Sequence, residues 1–346
     1  MIWNPFAKKS YKYKLGIDIG TSSLKVVELL QKGGDIYLNN YAQFYSKANY
    51  ITARSGSYNI LDSQVASILN HLFSKAEFAG REAAMALPVF SSFSTIIDLP
   101  AMAEEELENA VRFEARKYIP LPIGEVQFDW AKVDHLSTSD RTKILTVAVP
   151  NEIVEKYNRI AELAGIELTN IELETFSAAR ALVDSDPDPV AILDIGARTT
   201  DVSIVDGGTV VMHHNIDSGG SKFIQVIARG MSIDHNRAKE LKNRNGIQEA
   251  SGQVAELIRP SIDKIILEVE QLIEDYVREG GRKVARIILS GGEADMPGLV
   301  EYFNSSLGIK AEKGDPFRNI MVPPELEQFL GETGAEFTVA IGLALR

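Results

Sequence analysis

Two short stretches concentrate the residues able to hold a polyphosphate. The first, Asp18-Ile-Gly20-Thr21-Ser22-Ser23-Leu-Lys25, and the second, Asp194-Ile-Gly196-Ala-Arg198-Thr199-Thr200-Asp201, align without a gap at a spacing of 176 residues. In each, a glycine can take positive φ and let a ligand approach the main chain, while successive N–H groups and hydroxyls converge on one point. Such a nest binds anions. Asp18 and Asp194 sit where a hydrated Mg²⁺ would bridge carboxylate and phosphate oxygens. Lys25 adds a point charge worth roughly 1.5–3 kcal/mol in a charge-assisted hydrogen bond.

A third stretch, Ile288-Leu-Ser-Gly291-Gly292-Glu293, follows an apolar run and lets a nucleoside lie against bare backbone. Gly219 and Gly220 open a helix whose first N–H groups would meet a phosphate, a position that a plain cap explains equally well. Hydrolysis needs a group that orients water in line with the terminal phosphate. Glu174 is the candidate, although an acid in the first turn of a helix also suits the macrodipole. The histidines, including the pair His213-His214, show no metal-ligand spacing and read as structural.

The elements that must position these residues are legible from periodicity. Each phosphate-type stretch joins two apolar runs through a tight turn, which is strand, turn, strand. Asp35–Tyr45 continues the first hairpin as a third strand after Gly33-Gly34, Tyr50–Tyr58 reads as a loop, and Ile60–Phe78 places its apolar residues on one helical face. From Ser91 the pattern runs strand, helix, strand, strand, helix, a small α+β unit of its own over 91–169. Asp184-Ser-Asp-Pro-Asp-Pro189 permits neither helix nor sheet and reads as a hinge into the second half. Val254–Val277 has helical spacing, with an interruption expected at Pro260, and Ala335–Leu345 reads as a closing helix.

Composition narrows the function. The 346-residue chain is too long for one ordinary core and suits two lobes. It contains no cysteine, which excludes disulfides and cysteine-based zinc sites and fits a reducing compartment. Its 48 acidic residues against 36 basic ones give a formal charge of −12, which argues against nucleic acid as partner, because counterion release needs a basic face. No apolar run approaches the ~18 residues of a membrane span. Residues 1–13 read as a flexible leader.

The three stretches, in this order across nearly the whole chain, resemble the two phosphate loops and the adenosine loop of the actin/Hsp70/sugar-kinase superfamily. The resemblance implies an α/β fold of two lobes, a duplicated ribonuclease H-like core holding ATP and Mg²⁺ between them. It further implies that Ala238-Lys239-Glu240-Leu-Lys242-Asn-Arg-Asn-Gly246 matches the Ala-Glu-x-x-Lys-x-x-x-Gly helix of FtsA and MreB, where Glu accepts the ribose hydroxyls and Lys covers the adenine. Lys239 stands at the Glu position, a departure that removes the ribose acceptor. Lys242 matches.

The unit at 91–169 resembles subdomain 1C of FtsA and PilM. On that pattern 14–90, 170–189 and 322–346 form subdomain 1A, 190–225 with 285–321 form 2A, and 226–284 form a helical 2B. Among these relatives the chain is most similar to the PilM family of type IV pilus assembly. That implies a cytoplasmic scaffold, peripheral to the inner membrane through its partner, with at most slow ATP hydrolysis. The implied partner is the N-terminal cytosolic tail of a PilN-like bitopic protein, with pilus motor ATPases and self-association as further contacts. Such a tail is expected on a sheet edge or in the groove between the insertion and its parent lobe. An FtsA-like division protein polymerising at the membrane is the alternative, but FtsA carries a C-terminal amphipathic helix for which Leu-Ala-Leu-Arg346 leaves no room. A sugar or acetate kinase would need a carboxylate base beside an acceptor pocket, and the inserts offer none.

Overall fold

The computed structural model describes residues 12–45, 61–183, 186–248 and 252–346. Residues 1–11 of the leader, the Tyr50–Tyr58 loop, and Asp184 and Ser185 of the connector lie outside the described residues. Lys12 and Tyr13, read as leader, already pair with Gln31 and Leu30 in the first hairpin.

Two five-stranded sheets carry the repeat. In the first, β1 (Lys12–Ile19), β2 (Ser23–Lys32) and β3 (Asp35–Tyr45) form an antiparallel meander, and β4 (Glu82–Leu87) and β8 (Glu167–Leu173) add in parallel in the order β3-β2-β1-β4-β8. In the second, β9 (Val190–Ile195), β10 (Thr200–Asp206) and β11 (Thr209–Ile216) form the meander, extended by β12 (Arg286–Ser290) and β13 (Lys310–Lys313) in the order β11-β10-β9-β12-β13. The two topologies are the same. This is the duplicated core that the 176-residue repeat predicts, and both faces of each sheet are covered, which is why the inner strands read as near-continuous apolar runs.

Helix α4 (Glu174–Leu182) and the closing helix α10 (Thr338–Ala344) lie between the sheets. Small residues make this possible. A Cβ on Gly16 would come within 1.9 Å of the Ala340 carbonyl oxygen, and one on Gly342 within 1.9 Å of the Ser177 carbonyl oxygen. Ala178, Ala179, Ala181 and Ala340 join one apolar cluster with Val190, Ile192 and Ile288, so the lobes share a core rather than merely touching. The closing helix is shorter than the sequence predicts, because Gly334–Phe337 is a 3-10 turn, and an additional helix, Pro324–Thr333, precedes it.

The insertion is a three-stranded antiparallel sheet in the order β5-β7-β6, with β5 at Phe93–Pro100, β6 at Val126–Lys132 and β7 at Arg141–Pro150. Helix α2 (Glu104–Ala115) packs on it through Leu107 and Val111. The insertion also leans on the second lobe. Val133 and Leu145 are buried in that lobe's core, and the His135 Nε2 lies 3.7 Å from the buried Asp206 carboxylate at the end of β10.

Past the second meander come α5 (Gly220–Met231), α6 (His235–Asn245) and α7 (Gln253–Arg278). The break expected at Pro260 is absent, and α7 runs through it for 26 residues. Proline removes one N–H and crowds the carbonyl four residues back, here that of Glu256, but Pro260 is on the solvent side while Val254, Ile258, Ile262, Ile265 and Val269 anchor the opposite face.

Candidate functional site

The two hairpin turns have the same geometry. The Gly20 N–H donates to the Ser23 carbonyl at 2.9 Å, and the Gly196 N–H donates to the Thr199 carbonyl at 2.9 Å. The duplication places them facing one another across a cavity of about 340 Å³, within the range of small-ligand sites. Its wall contains Asp18, Gly20, Thr21, Ser22, Ser23 and Lys25 from the first lobe and Asp194, Gly196, Thr199 and Gly220 from the second. Glu174 stands between them, and Lys239, Lys242, Gly291, Gly292 and Glu293 complete the wall.

Three sequence-predicted residues lie off that wall. Arg198 faces Asp217 at 3.6 Å, and the Thr200 hydroxyl donates to the Ser218 carbonyl at 2.8 Å. Gly219 is required by packing, since a Cβ there would meet the Gly196 carbonyl oxygen at 2.5 Å. The Gly220 N–H and Ser221 N–H are likewise taken, bonding the Gly196 and Ala197 carbonyls at 3.0 and 2.6 Å. The start of α5 therefore braces the second turn instead of presenting free donors.

The Lys25 Nζ lies 3.2 Å from the Asp18 Oδ2, and both side chains are buried. Burial opposes the lysine's charge, but Asp18, Glu336 and Asp194 overcome it and hold its pKa above the ordinary value. The facing carboxylates are shifted the other way. Burial, with Asp18 adding and Lys25 opposing, pushes Asp194 to about 6. Burial also pushes Asp201 to about 7, opposed by the 2.6 Å hydrogen bond from Asn215 Nδ2 and reinforced by Asp194. Glu174 is raised well above the usual carboxylate range by burial and then by Asp201, although its Oε1 accepts the Val89 N–H at 2.9 Å. Around the two turns the acids outnumber Lys25, so this end of the cavity lacks positive charge. Among the described residues no group of three or more acidic or histidine side chains is arranged to hold an ion directly.

At the other end, the Asp234 side chain caps α6 by accepting from the N–H groups of Asn236 and Arg237, and Gly246 (φ 56°) ends it. This aims Lys242 inward, where it is buried and paired with Glu293. Lys239 stays exposed over the Tyr45 ring at 5.8 Å, a cation–π contact that crosses from the second lobe to the first. Tyr45 Oη and Gln43 Nε2 each donate to Glu336 at 2.8 Å.

Sequence reasoning missed Asp201, Tyr45, Glu336 and Asn243 as members of this wall. Asp201 was within reach, because the repeat aligns it with Lys25. Asn243 falls at an unspecified position of the Ala238–Gly246 motif, and Tyr45 and Glu336 come from segments with no motif.

A second groove, about 470 Å³, separates the insertion from the first lobe. Its floor and sides are apolar, from Phe128, Trp130, Val147, Val149, Leu173 and Phe176, and one wall is β6, an edge strand of the insertion's sheet. Asp129, Glu172 and Arg346 mark its polar margin. Glu172 is buried among Arg180, Arg346 and Ser177.

The family model described as type IV pilus assembly protein PilM matches residues 16–346. A solved chain of a PilM–PilN type IV pilus biogenesis complex superposes with a TM-score of 0.82 at 26% identity, over 96% of this chain and 98% of that one. MreB 5 of Spiroplasma citri, solved bound to AMPPNP, shares the fold with a TM-score of 0.54 at 16% identity, over 96% of this chain and 94% of that one. Cell division protein FtsA of Streptococcus pneumoniae is 21% identical over 342 residues, covering 86% of this chain and 74% of that protein.

Proposed function

The chain belongs to the PilM family of type IV pilus assembly proteins, and from that membership we propose that it is an ATP-binding scaffold that receives the cytosolic tail of a PilN-like membrane protein. The observation that carries the nucleotide half is the pair of equivalent turns facing each other across one cavity, with Lys25 at the first and Asp18, Asp194, Asp201 and Glu174 among the carboxylates that line it. The residues fit the group. A polyphosphate would lie between Gly20–Lys25 and Gly196–Thr199, where Lys25 meets its charge. Asp18 and Asp194 would hold Mg²⁺ through its waters, and the ion would supply the positive charge that the acidic basin lacks. The purine would lie against Gly291-Gly292, beside Lys242. Glu293, already paired with Lys242 and on the same wall as Lys239, would take the vacated ribose-acceptor role.

The partner half rests on the groove between β6 and the first lobe. An edge strand with an apolar floor offers an extended peptide both backbone pairing and side-chain pockets. No described helix is long and apolar enough to cross a membrane, so this reading makes the membrane contact through that partner. Nucleotide would act as a state label, closing the lobes around Asp184–Pro189 through contacts made only in the closed form.

Calorimetry with Mg-ATP tests the nucleotide site. Wild-type protein is expected to bind, and Lys25→Ala to bind roughly 10- to 100-fold more weakly, the factor given by ~1.5–3 kcal/mol. Equal affinity in the two proteins would remove the phosphates from this cleft.

A further inference from the structure

The residues lining the cavity between the two turns differ in exposure. Most are buried or half-buried, and among the described ones only Tyr45, Lys239, Asn243 and Gly292 are exposed. These four mark its rim. Lys239 and Asn243 come from α6 and Gly292 follows β12, all in the second lobe, so Tyr45, 58% exposed, is the first lobe's contribution.

Tyr45 is fixed on its own side. It is the last residue of β3, in register with Ser23 of the first turn, and its Oη donates to Glu336 at 2.8 Å. Gln43 Nε2 donates to the same carboxylate oxygen and holds it in place. Lys239 comes from the other side, with its Nζ 5.8 Å from the centroid of the Tyr45 ring. Its charge also acts inside the cavity, since burial raises the Glu293 carboxyl while Lys242 and then Lys239 oppose that shift. A long, flexible side chain of one lobe therefore rests on an anchored ring of the other, at the exposed rim of the cavity.

From this juxtaposition we propose that Tyr45 and Lys239 form a gate over the cleft, which must part before a nucleotide enters or leaves and which sets the rate of exchange. The gate rests on the nucleotide reading of this cavity. An exposed cation–π contact is worth about 0.5–1 kcal/mol, so breaking it raises the open fraction roughly 2- to 5-fold. A gate differs from a ligand contact in what it changes. Opening it more often speeds entry and release alike, whereas losing a contact with the nucleotide speeds release alone. Lys239 also carries a charge that attracts a polyphosphate, so entry is compared only in variants of Tyr45, which leave that charge in place.

The test follows a fluorescent ATP analogue with Mg²⁺ on the intact protein by stopped flow, and its release by a chase with excess unlabelled ATP. In Tyr45→Leu the association and release rates are both expected to rise roughly 2- to 5-fold. In Lys239→Met release is expected to rise by the same factor, and in the double variant no further, because the same contact is lost in all of them. Unchanged rates in both single variants overturn the gate and leave the nucleotide reading standing. A rise in release alone in Tyr45→Leu, or additive effects in the double variant, also overturn it, because the two side chains would then be separate contacts of the nucleotide. Absence of binding in the wild type removes the nucleotide reading, and the gate with it.

Discussion

Asp194 and Asp201 stand directly opposite each other across the β9–β10 hairpin, at the register position that Asp18 and Lys25 occupy in the first lobe. In one copy of the repeat the cross-strand pair is an ion pair, and in the other it is a pair of acids, which is unfavourable when both are ionised. Burial chiefly raises both, Asp194 to about 6 with Asp18 adding and Lys25 opposing, and Asp201 to about 7 with Asp194 adding. Each folded-state pKa lies above that of the unfolded chain, so the native state retains protons that the unfolded state has lost. Ligand-free stability should therefore decline as pH rises from about 4 through about 7. Asp201→Asn is expected to flatten that slope and to raise the melting temperature at about pH 8, by roughly 2–4 °C for each kcal/mol relieved. Calorimetric melting of both proteins across this range checks it, and a wild-type curve that rises with pH contradicts the assignment.

The same acidity bears on turnover. Glu174 is the one predicted water-orienting group, and its pKa is driven up by burial and by Asp201. A protonated carboxyl cannot accept a proton from water. Hydrolysis should accordingly stay below the ~1–100 s⁻¹ of ordinary kinases and should increase with pH as Glu174 ionises. In Glu174→Gln the increase with pH should vanish. Phosphate release measured over the pH range decides the matter, and a fast, pH-independent rate in the wild type would show that Glu174 has no part in it.

Pro260 gives a prediction that touches no site. It interrupts the hydrogen-bond ladder of α7 on the solvent side without ending the helix. Pro260→Ala restores the N–H, and stabilisation of up to about 3 kcal/mol is expected. Chemical denaturation reads this directly, and a destabilised variant would mean that proline's fixed φ restricts the unfolded chain more than the missing bond hurts the helix.

How much was legible follows from where the information sits. The two sheets were readable because the repeat Asp18–Lys25 and Asp194–Asp201 is local, and a hairpin that buries both faces leaves a continuous apolar signature. The turn glycines Gly20 and Gly196 were readable for the same reason. Pro260 was misread as a break because helix propensity is a local quantity, whereas one buried face of a 26-residue helix outweighs it. Tyr45 and Glu336 are 291 residues apart and meet only through the tertiary fold, so no local pattern announces them. The contact of the insertion with the second lobe was hidden likewise. Val133 looks like any strand-end valine in the sequence, yet it is 1% exposed in the core of the opposite lobe.

The central claim, an actin-like scaffold that receives a partner's tail beside its insertion, is tested most directly by hydrogen exchange. A synthetic peptide from the cytosolic tail of the PilN-like partner is added to the intact protein, and amide protection is mapped along the chain. The expected result is binding with micromolar or better affinity and slowed exchange in β6, across Ser91–Thr169 and on the facing first-lobe strands. Protection confined to Val190–Arg318 in the second lobe would contradict it.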